Sequence, residues 1–271
     1  MTDAQLPATT GGTNLSTLLV GAEDDFVSMR KKDILLPRAT ILQANSPDVA
    51  SGRFPSGTVM DSATKSEIIK ARTDGKFIIP LMMWLEWIEW NPKRNAPKDE
   101  KIIDRSVDPS GKLANRADKW ETITNAEGRE VCVVTEYYNY IGIILDPKMN
   151  DYDSVYLTGF CRSSHRIGKM WLNRLAKARM EIEPGNWVKA PMWAYRWAYK
   201  TEMVSKDGYT YYVPSIGEGQ LNPQADWAML KGVSDGFKAR RSEIMDRNSN
   251  KDDETEAAAG ATPVSAANSE M

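Results

Sequence analysis

Residues 192–216 read MWAYRWAYKTEMVSKDGYTYYVPSI, and this stretch predicts a β-hairpin. Two runs rich in aromatic residues flank the turn Lys206-Asp207-Gly208, and Asp-Gly is typical of a tight turn between paired antiparallel strands. Side chains alternate between the two faces of a strand, so the first run would carry its large rings on one face. The hairpin therefore predicts a sheet of antiparallel strands.

Apolar segments elsewhere predict the other strands. The segment FIIPLMMWLEWIEW (77–90) also has apolar residues at helical spacing, but its flanking turns and Pro80 favour one long strand. Further strands are predicted within 34–43, 130–147 and 154–160. By contrast, 49–74 is predicted to be a loop with one short helix, and the polar residues of 91–130 predict loops.

Two segments predict helices. SSHRIGKMWLNRLAKARM (163–180) begins with Ser163 or Ser164 as N-cap and has apolar residues at helical spacing. The expected buried face of this helix consists of Ile167, Met170, Trp171, Leu175 and Ala178. A second helix is predicted over 223–245, with Asn222 as N-cap and Pro223 at the first helical position.

The order of these segments predicts an α+β fold, namely an antiparallel OB-like β-barrel or curled sheet with two packed helices. Residues 1–25 are rich in Thr, Gly and Ala and predict a flexible arm. Residues 26–245 are expected to form a single globular domain. Residues 246–271 have no aromatic side chain and an excess of acids, which predicts a disordered acidic tail.

Composition argues against secretion and against a membrane anchor. The longest uncharged apolar stretch, Phe77 to Leu85, is much shorter than the roughly 20 residues of a membrane span. The N-terminus has no basic segment followed by an apolar run. Cys132 and Cys161 are far apart without a CxxC pair, so a disulfide framework is not indicated. We therefore expect an intracellular protein of a reducing compartment.

The sequence has few of the residue patterns that enzymes need. His165 is its single histidine, and no GxSxG, GxxxxGK[ST] or GxGxxG motif is present. Asp146, Asp151 and Asp153 could hold Mg²⁺, which keeps a Mg²⁺-dependent nuclease or recombination enzyme as one alternative. We expect no catalytic residue, no cofactor and no metal.

The predicted hairpin strand has the composition of a single-strand binder. Its rings Trp193, Tyr195, Trp197 and Tyr199 would share one face, Arg196 and Lys200 the other, and the partner strand adds Tyr211. Single-stranded nucleic acid is held by rings that stack on bases and by cations that follow the phosphates. As an alternative, the rings form the core of a barrel or sandwich, and the face with Arg196 and Lys200 is exposed.

The segment from Arg162 to Arg179 contains six Lys or Arg residues and no acid, although the net charge of the chain is −2. These cations repel one another, and a polyanion would relieve the repulsion; a solvated helix face is the alternative. The predicted nucleic-acid-binding residues are Arg162, Arg166, Lys169, Arg174, Lys177, Trp193, Tyr195, Arg196, Trp197, Tyr199, Lys200 and Tyr211.

Four segments carry a resemblance to known proteins: LPRATILQANSPDVASGRF, FIIPLMMWLEWIEW, YLTGFCRSSHRIGKMWLNRL and APMWAYRWAYKTEMVSKDGYTYYVPSI. In this order, over about residues 34–240, they resemble tailed-bacteriophage proteins of the replication module, some of which are single-stranded DNA-binding proteins with an OB-like barrel. The resemblance implies a protein of the host cytoplasm with single-stranded DNA as partner, in replication or recombination. It also implies an acidic tail that docks replication or recombination proteins. The C-terminal NSEM lacks the final Phe of several such tails, so recruitment of a polymerase is not implied.

One further alternative concerns a different class of protein. In a phage structural or host-takeover protein, the Trp-rich face would be an interface for another protein. Such a face would be a contiguous apolar patch with a polar rim, and the protein would not retain DNA. The exposed face of the hairpin strand separates the two hypotheses.

Overall fold

The computed structural model describes residues 36–72, 75–92, 100–124, 128, 130–145, 152–206 and 208–248. Their strands are β1 (Ala39–Ile41), β2 (Val59–Asp61), β3 (Glu67–Ile69), β4 (Lys76–Trp90), β5 (Ile102–Ser106), β6 (Thr122–Thr124), β7 (Glu130–Cys132), β8 (Val134–Leu145), β9 (Tyr152–Phe160), β10 (Arg179–Glu183), β11 (Asn186–Lys189), β12 (Tyr195–Lys206) and β13 (Tyr209–Leu221). Their helices are α1 (Pro47–Ala50), α2 (Lys112–Asp118), α3 (His165–Lys177), α4 (Trp227–Ala239) and α5 (Arg241–Asn248).

Six strands form the main sheet, which is antiparallel throughout. Its order is β13-β12-β4-β8-β9, and β5 joins the same edge of β4 as β12. The hairpin predicted from the sequence is confirmed, with Lys206 paired to Tyr209 around a turn in which Gly208 has φ +80°. The long strand predicted over 77–90 is also confirmed as β4. The predicted α+β class with antiparallel sheets is therefore what the chain forms.

Pro80 lies inside β4, where a proline removes one hydrogen bond of the ladder. A bulge between Pro80 and Met82 accommodates it opposite Gly142 of β8. A Cβ at Gly142 would lie 3.0 Å from the backbone oxygen of Ile79, so this close approach favours glycine. The bulge shifts the side-chain alternation by one residue, which explains why the apolar pattern of β4 also resembles a helical stripe.

The main sheet is open, so the predicted closure into an OB-like barrel is not confirmed. Within the described residues, the end strands β9 and β13 do not pair with each other. Side chains cap the free edge of β13. The amide of Gln43 accepts from the Tyr212 N–H at 2.9 Å and donates to the Tyr212 carbonyl at 2.8 Å. Arg174 Nη1 donates to the carbonyls of Ile216 and Gly217, each at 3.0 Å.

Loops and helices also bond to two other edge positions of the sheet. The N–H of Leu157 in β9 donates to the Pro37 carbonyl at 2.9 Å, beside a single parallel bridge from Arg38. The second position is Leu81 of β4, which lies between the part of β4 that pairs with β12 and the part that pairs with β5. The hydroxyl of buried Ser234 in α4 donates to the Leu81 carbonyl at 2.8 Å. Edge groups that are satisfied by loops and helices do not need a further strand, which is the physical reason that the sheet remains open.

Adjacent residues of β4 and β8 point into two cores on opposite faces of the sheet. The α3-side core contains Ile78, Tyr140, Phe160, Trp171, Leu175, Trp197 and Tyr199. The α4-side core contains Ile79, Leu81, Trp84, Ile141, Leu230 and Val233. A smaller cluster lies where α2 packs on the sheet, with Trp87 and Leu113 buried. The two predicted helices are thus packed on opposite faces.

The first predicted helix is confirmed as α3, but its expected end at Met180 is wrong. A 3₁₀ turn, Arg162–Ser164, precedes α3, and the chain after Lys177 enters strand β10, whose Met180 is buried in the α4-side core. Of the expected apolar face, Trp171 and Leu175 are buried, whereas Met170 is 41% exposed. The apolar stripe that packs on the sheet is therefore narrower than the stripe predicted from the sequence.

The second predicted helix is divided at Arg240 into α4 and α5, which extends to Asn248. Asn222 does not cap it: the Asn222 side chain donates to the Trp193 carbonyl at 2.7 Å, and its N–H donates to the Ala194 carbonyl at 2.8 Å. These bonds fix the turn before β12. Strands β2, β3, β5 and β6 occupy ranges that were predicted to be loops. At three to five residues each, they are too short for an apolar period to appear.

No helix within the described ranges is long and apolar enough to span a membrane. The predicted arm, 1–25, lies outside the described residues, as does the predicted tail beyond Asn248.

Candidate nucleic-acid interface

Gly168 fixes the orientation of α3 on the sheet. A methyl group at this position would lie 2.6 Å from Cβ of Phe160 and 2.9 Å from Cβ of Tyr138, so a larger residue would force the helix away. The hydroxyl of Tyr140 donates to the Gly168 carbonyl at 3.0 Å. With Gly168, Trp171 and Leu175 facing inward, the opposite side of α3 faces solvent.

Three cations share this outward side. Arg166, Lys169 and Lys177 are separated by three and eight residues, which places them on one face of a helix, and all three are exposed. Exposed Arg162 precedes the helix, and exposed Arg179 follows it. Among the described residues, no carboxylate lies within ion-pair distance of any of these five cations. We call Arg166, Lys169 and Lys177 the cationic face of α3.

The carboxylate nearest the start of α3 already has partners. Glu136 lies 2.5 Å from Nε2 of His165 and accepts from the Tyr138 hydroxyl at 3.4 Å, while the Tyr138 ring meets the imidazole edge-on. Burial, reinforced by the charge of Glu136, raises the pKa of the Tyr138 hydroxyl to about 12. His165 thus joins α3 to β8.

Arg162 and Arg174 have more constrained positions than the other cations. Arg162 has φ +46°, in the left-handed region that costs a non-glycine residue about 1 kcal/mol or more, and its guanidinium lies 5.9 Å from the centroid of the Trp90 ring. Arg174 uses Nη1 to bind the two carbonyls at the edge of β13. Arg174 therefore holds α3 against the sheet, a role that the prediction of a phosphate contact did not include.

The predicted stacking rings of β12 are mostly buried. Residues Met192–Ala194 form a 3₁₀ turn, so the strand begins at Tyr195, and the expected unbroken alternation from 192 is wrong. Trp193, Trp197 and Tyr199 are only 9%, 6% and 1% exposed, and Tyr195 is half-buried with its hydroxyl donating to the Arg179 carbonyl at 2.5 Å. The alternative in which these rings form core is the one that the structure supports.

The cations of β12 point away from α3. Because Trp197 faces the α3-side core, Arg196 and Lys200 lie on the other face of the sheet. The guanidinium of Arg196 lies 5.0 Å from the centroid of the Phe77 ring, and Lys200 Nζ pairs with Glu202 at 3.1 Å. Tyr211 is half-buried. The structure therefore does not bring Arg196, Lys200 and Tyr211 together with the cationic face of α3.

Sequence reasoning missed an exposed ring directly after the helix. Strands β10 and β11 form a hairpin, which we call the Trp187 hairpin, and Trp187 is 60% exposed. In the sequence, EPGNW (183–187) also suits the end of the predicted helix. A Pro-Gly turn between two four- or five-residue runs was the available signal for this hairpin.

Asp146, Asp151 and Asp153 are the carboxylates proposed for Mg²⁺. Asp146 and Asp151 lie outside the described residues, and the side chain of Asp153 does as well. Within the part of the chain that the structure describes, no three His, Cys, Asp or Glu side chains are grouped to hold a metal ion. The nuclease alternative stays a prediction.

Fold and surface together define an α+β protein in which an open antiparallel sheet carries a helix with an unneutralised cationic face. The chain belongs to the Pam3 phage gp34-like protein family, whose model matches residues 13–243. The phage origin expected from the sequence is thereby supported. No curated protein and no solved structure is significantly similar to the chain.

Proposed function

We propose that this phage protein binds single-stranded DNA through the cationic face of α3. The observation that supports the proposal is that Arg166, Lys169 and Lys177 share one exposed side of the helix without an ion-pair partner among the described residues. The function is binding and not catalysis.

Electrostatics supports a polyanionic partner. On α4, the exposed cations Lys231 and Lys238 share a carboxylate partner, Asp235, at 2.6 and 3.6 Å. On α3, repulsion between neighbouring cations is not offset in this way, and phosphates would offset it. Each neutralised phosphate releases counterions, so affinity should fall steeply with salt.

Two observations support single-stranded DNA as the ligand and phage DNA metabolism as the setting. They are the phage family and the sequence resemblance to phage single-stranded DNA-binding proteins. Such binding would act on DNA that is unpaired during phage replication or recombination. The acidic residues after 248 would compete with DNA for the cationic face and dock partner proteins. The closing experiment therefore includes a duplex of equal length.

The test is a salt titration of binding to labelled oligo(dT), followed by fluorescence anisotropy. The variant R166Q/K169Q/K177Q removes three positive charges from α3. The matched control K231Q/K238Q/R240Q removes three positive charges that are each ion-paired on α4 or at its C-terminal end. We expect the slope of log K against log salt to become less steep by about 2 for the α3 variant, since single strands contribute roughly 0.7 per phosphate contact.

The control should retain the wild-type slope. The proposal fails if the wild-type protein does not bind oligo(dT), if its binding is insensitive to salt, or if both triple variants weaken binding equally. Stronger binding to the duplex than to oligo(dT) would contradict the single-stranded form.

A further inference from the structure

The Trp187 hairpin has one buried face and one solvent face. Met180 is buried in the α4-side core, and its cross-strand partner Val188 packs there as well. Residues on the opposite face alternate with these two. That face is exposed and contains Arg179, Glu181, Trp187 and Lys189. The packing of Met180 and Val188 thus forces the Trp187 indole into solvent.

The cross-strand register places two cations beside this ring. Arg179 pairs directly with Lys189, and Glu181 pairs directly with Trp187. Trp187 and Lys189 are two residues apart on one strand, and Arg179 is the diagonal neighbour of Trp187, at about 7–8 Å between Cα atoms. Within the described residues neither cation has an ion-pair partner. An indole flanked by two free cations is the arrangement that stacks a base and contacts its phosphates.

The carboxylate on this face has a structural role. Oε1 of Glu181 accepts from the Gly185 N–H at 2.7 Å and so closes the Pro184-Gly185 turn, in which Gly185 has φ +79°. The register shift between Glu181 and Glu183 pairs the exposed Glu183 with Asn186 on the other side, so this face keeps two positive charges against one negative charge. The hairpin also continues the cationic segment of α3, since one residue, Ala178, separates Lys177 from Arg179.

We infer that Trp187 stacks on an unpaired base of the bound strand, with Arg179 and Lys189 contacting the adjoining phosphates. The inference rests on the proposed function. It assigns to Trp187 the base-stacking role that the sequence predicted for the rings of β12. It also accounts for a preference for single strands, because the face of a base is open to an indole only when the base is unpaired or unstacked.

Tryptophan fluorescence can isolate this ring. All nine tryptophans lie in the described residues, and of these only Trp187 and Trp120, at 60% and 72%, are exposed. Trp120 follows α2, outside the Trp187 hairpin, and serves as the matched control. Variants W187F and W120F each remove one exposed indole but keep a ring, whereas W187A and W120A remove the ring.

We expect oligo(dT) to quench wild-type and W120F fluorescence and to leave W187F unquenched, although W187F still binds. The dissociation constant should rise about 5- to 150-fold in W187A, since stacking contributes about 1–3 kcal/mol per base, and it should be unchanged in W120A. Wild-type affinity and quenching in W187A would overturn the inference and leave the proposed function standing. Absence of wild-type binding would overturn the proposed function itself.

Discussion

Two aromatic segments about ten residues apart differ in burial: one is in the core and the other is in solvent. In β12, Trp197 and Tyr199 point into the α3-side core, whereas in β11, Trp187 points into solvent. Both strands alternate in the ordinary way. The difference lies in which face of each strand packs against another element. Strand β12 is part of the main sheet through its pairing with the central strand β4, whereas β10 and β11 pair only with each other among the described strands. Alternation identifies the residues that share a face, and the neighbouring elements decide which face is buried.

The largest expected effect tests this contrast by truncating one ring from each segment. W197A should lower the free energy of unfolding by about 3–5 kcal/mol, because it leaves a cavity in a well-packed core. W187A should change it by no more than about 0.5 kcal/mol, since the ring is mostly in solvent. Chemical denaturation of both variants provides the measurement. Equal destabilisation would break the comparison.

The next effect concerns the packing that turns the cationic face outward. G168A should destabilise the protein by about 1–3 kcal/mol, because its new methyl group would contact Phe160 and Tyr138 at under 3 Å. The matched control is G232A in α4, where a Cβ meets no atom within 4 Å. Its higher helix propensity should stabilise the protein by up to about 1 kcal/mol. Relative to the wild type, the denaturant midpoint should fall for G168A and rise for G232A.

A smaller effect concerns the hydrogen bond between Tyr140 and α3. Y140F loses the bond to the Gly168 carbonyl and should cost about 1 kcal/mol near neutral pH. Burial raises the pKa of the Tyr140 hydroxyl above its ordinary value of 10.0, so the folded state favours the neutral form. Its contribution is complete below pH about 10 and is lost as pH rises further. Between pH 7 and pH 11, the free energy of unfolding should therefore fall less in Y140F than in the wild type.

The smallest expected effect sharpens the assignment of the Trp187 hairpin. E181Q removes the single negative charge from its solvent face, and the amide oxygen can still accept from the Gly185 N–H. Binding to oligo(dT) should tighten by roughly twofold at low salt, in line with the small energies of exposed charge pairs. E202Q in β12, whose carboxylate pairs with Lys200, serves as control and should leave the affinity unchanged. A weaker E181Q complex would contradict the assignment.

The sequence predicted the elements that have strong local signals. Asp207-Gly208 marked the β12–β13 hairpin, turns bounded β4, and the apolar stripe through Trp171 and Leu175 marked α3. It did not decide between a barrel and a curled sheet, because edge capping by Gln43, Arg174 and Ser234 depends on residues that are distant in the chain. Such contacts leave no periodic pattern in the sequence.

The candidate site was predicted in part. The cations of α3 were identified, but the rings were assigned to β12, since period-2 alternation does not reveal which face is buried. Pro191 precedes the 3₁₀ turn that holds Trp193 in the opposite core from Trp197. Trp187 was missed because its hairpin is short and its Pro-Gly turn also suits the end of a helix.

The most direct test of the account is the position of DNA on the chain. Photo-crosslinking of a 4-thiothymidine oligonucleotide to the full-length protein, with the modified peptides mapped by mass spectrometry, measures this position. We predict crosslinks within residues 162–189, with Trp187 the principal site. Crosslinks concentrated on β12 and β13 would contradict the account, as would labelling distributed evenly over the surface.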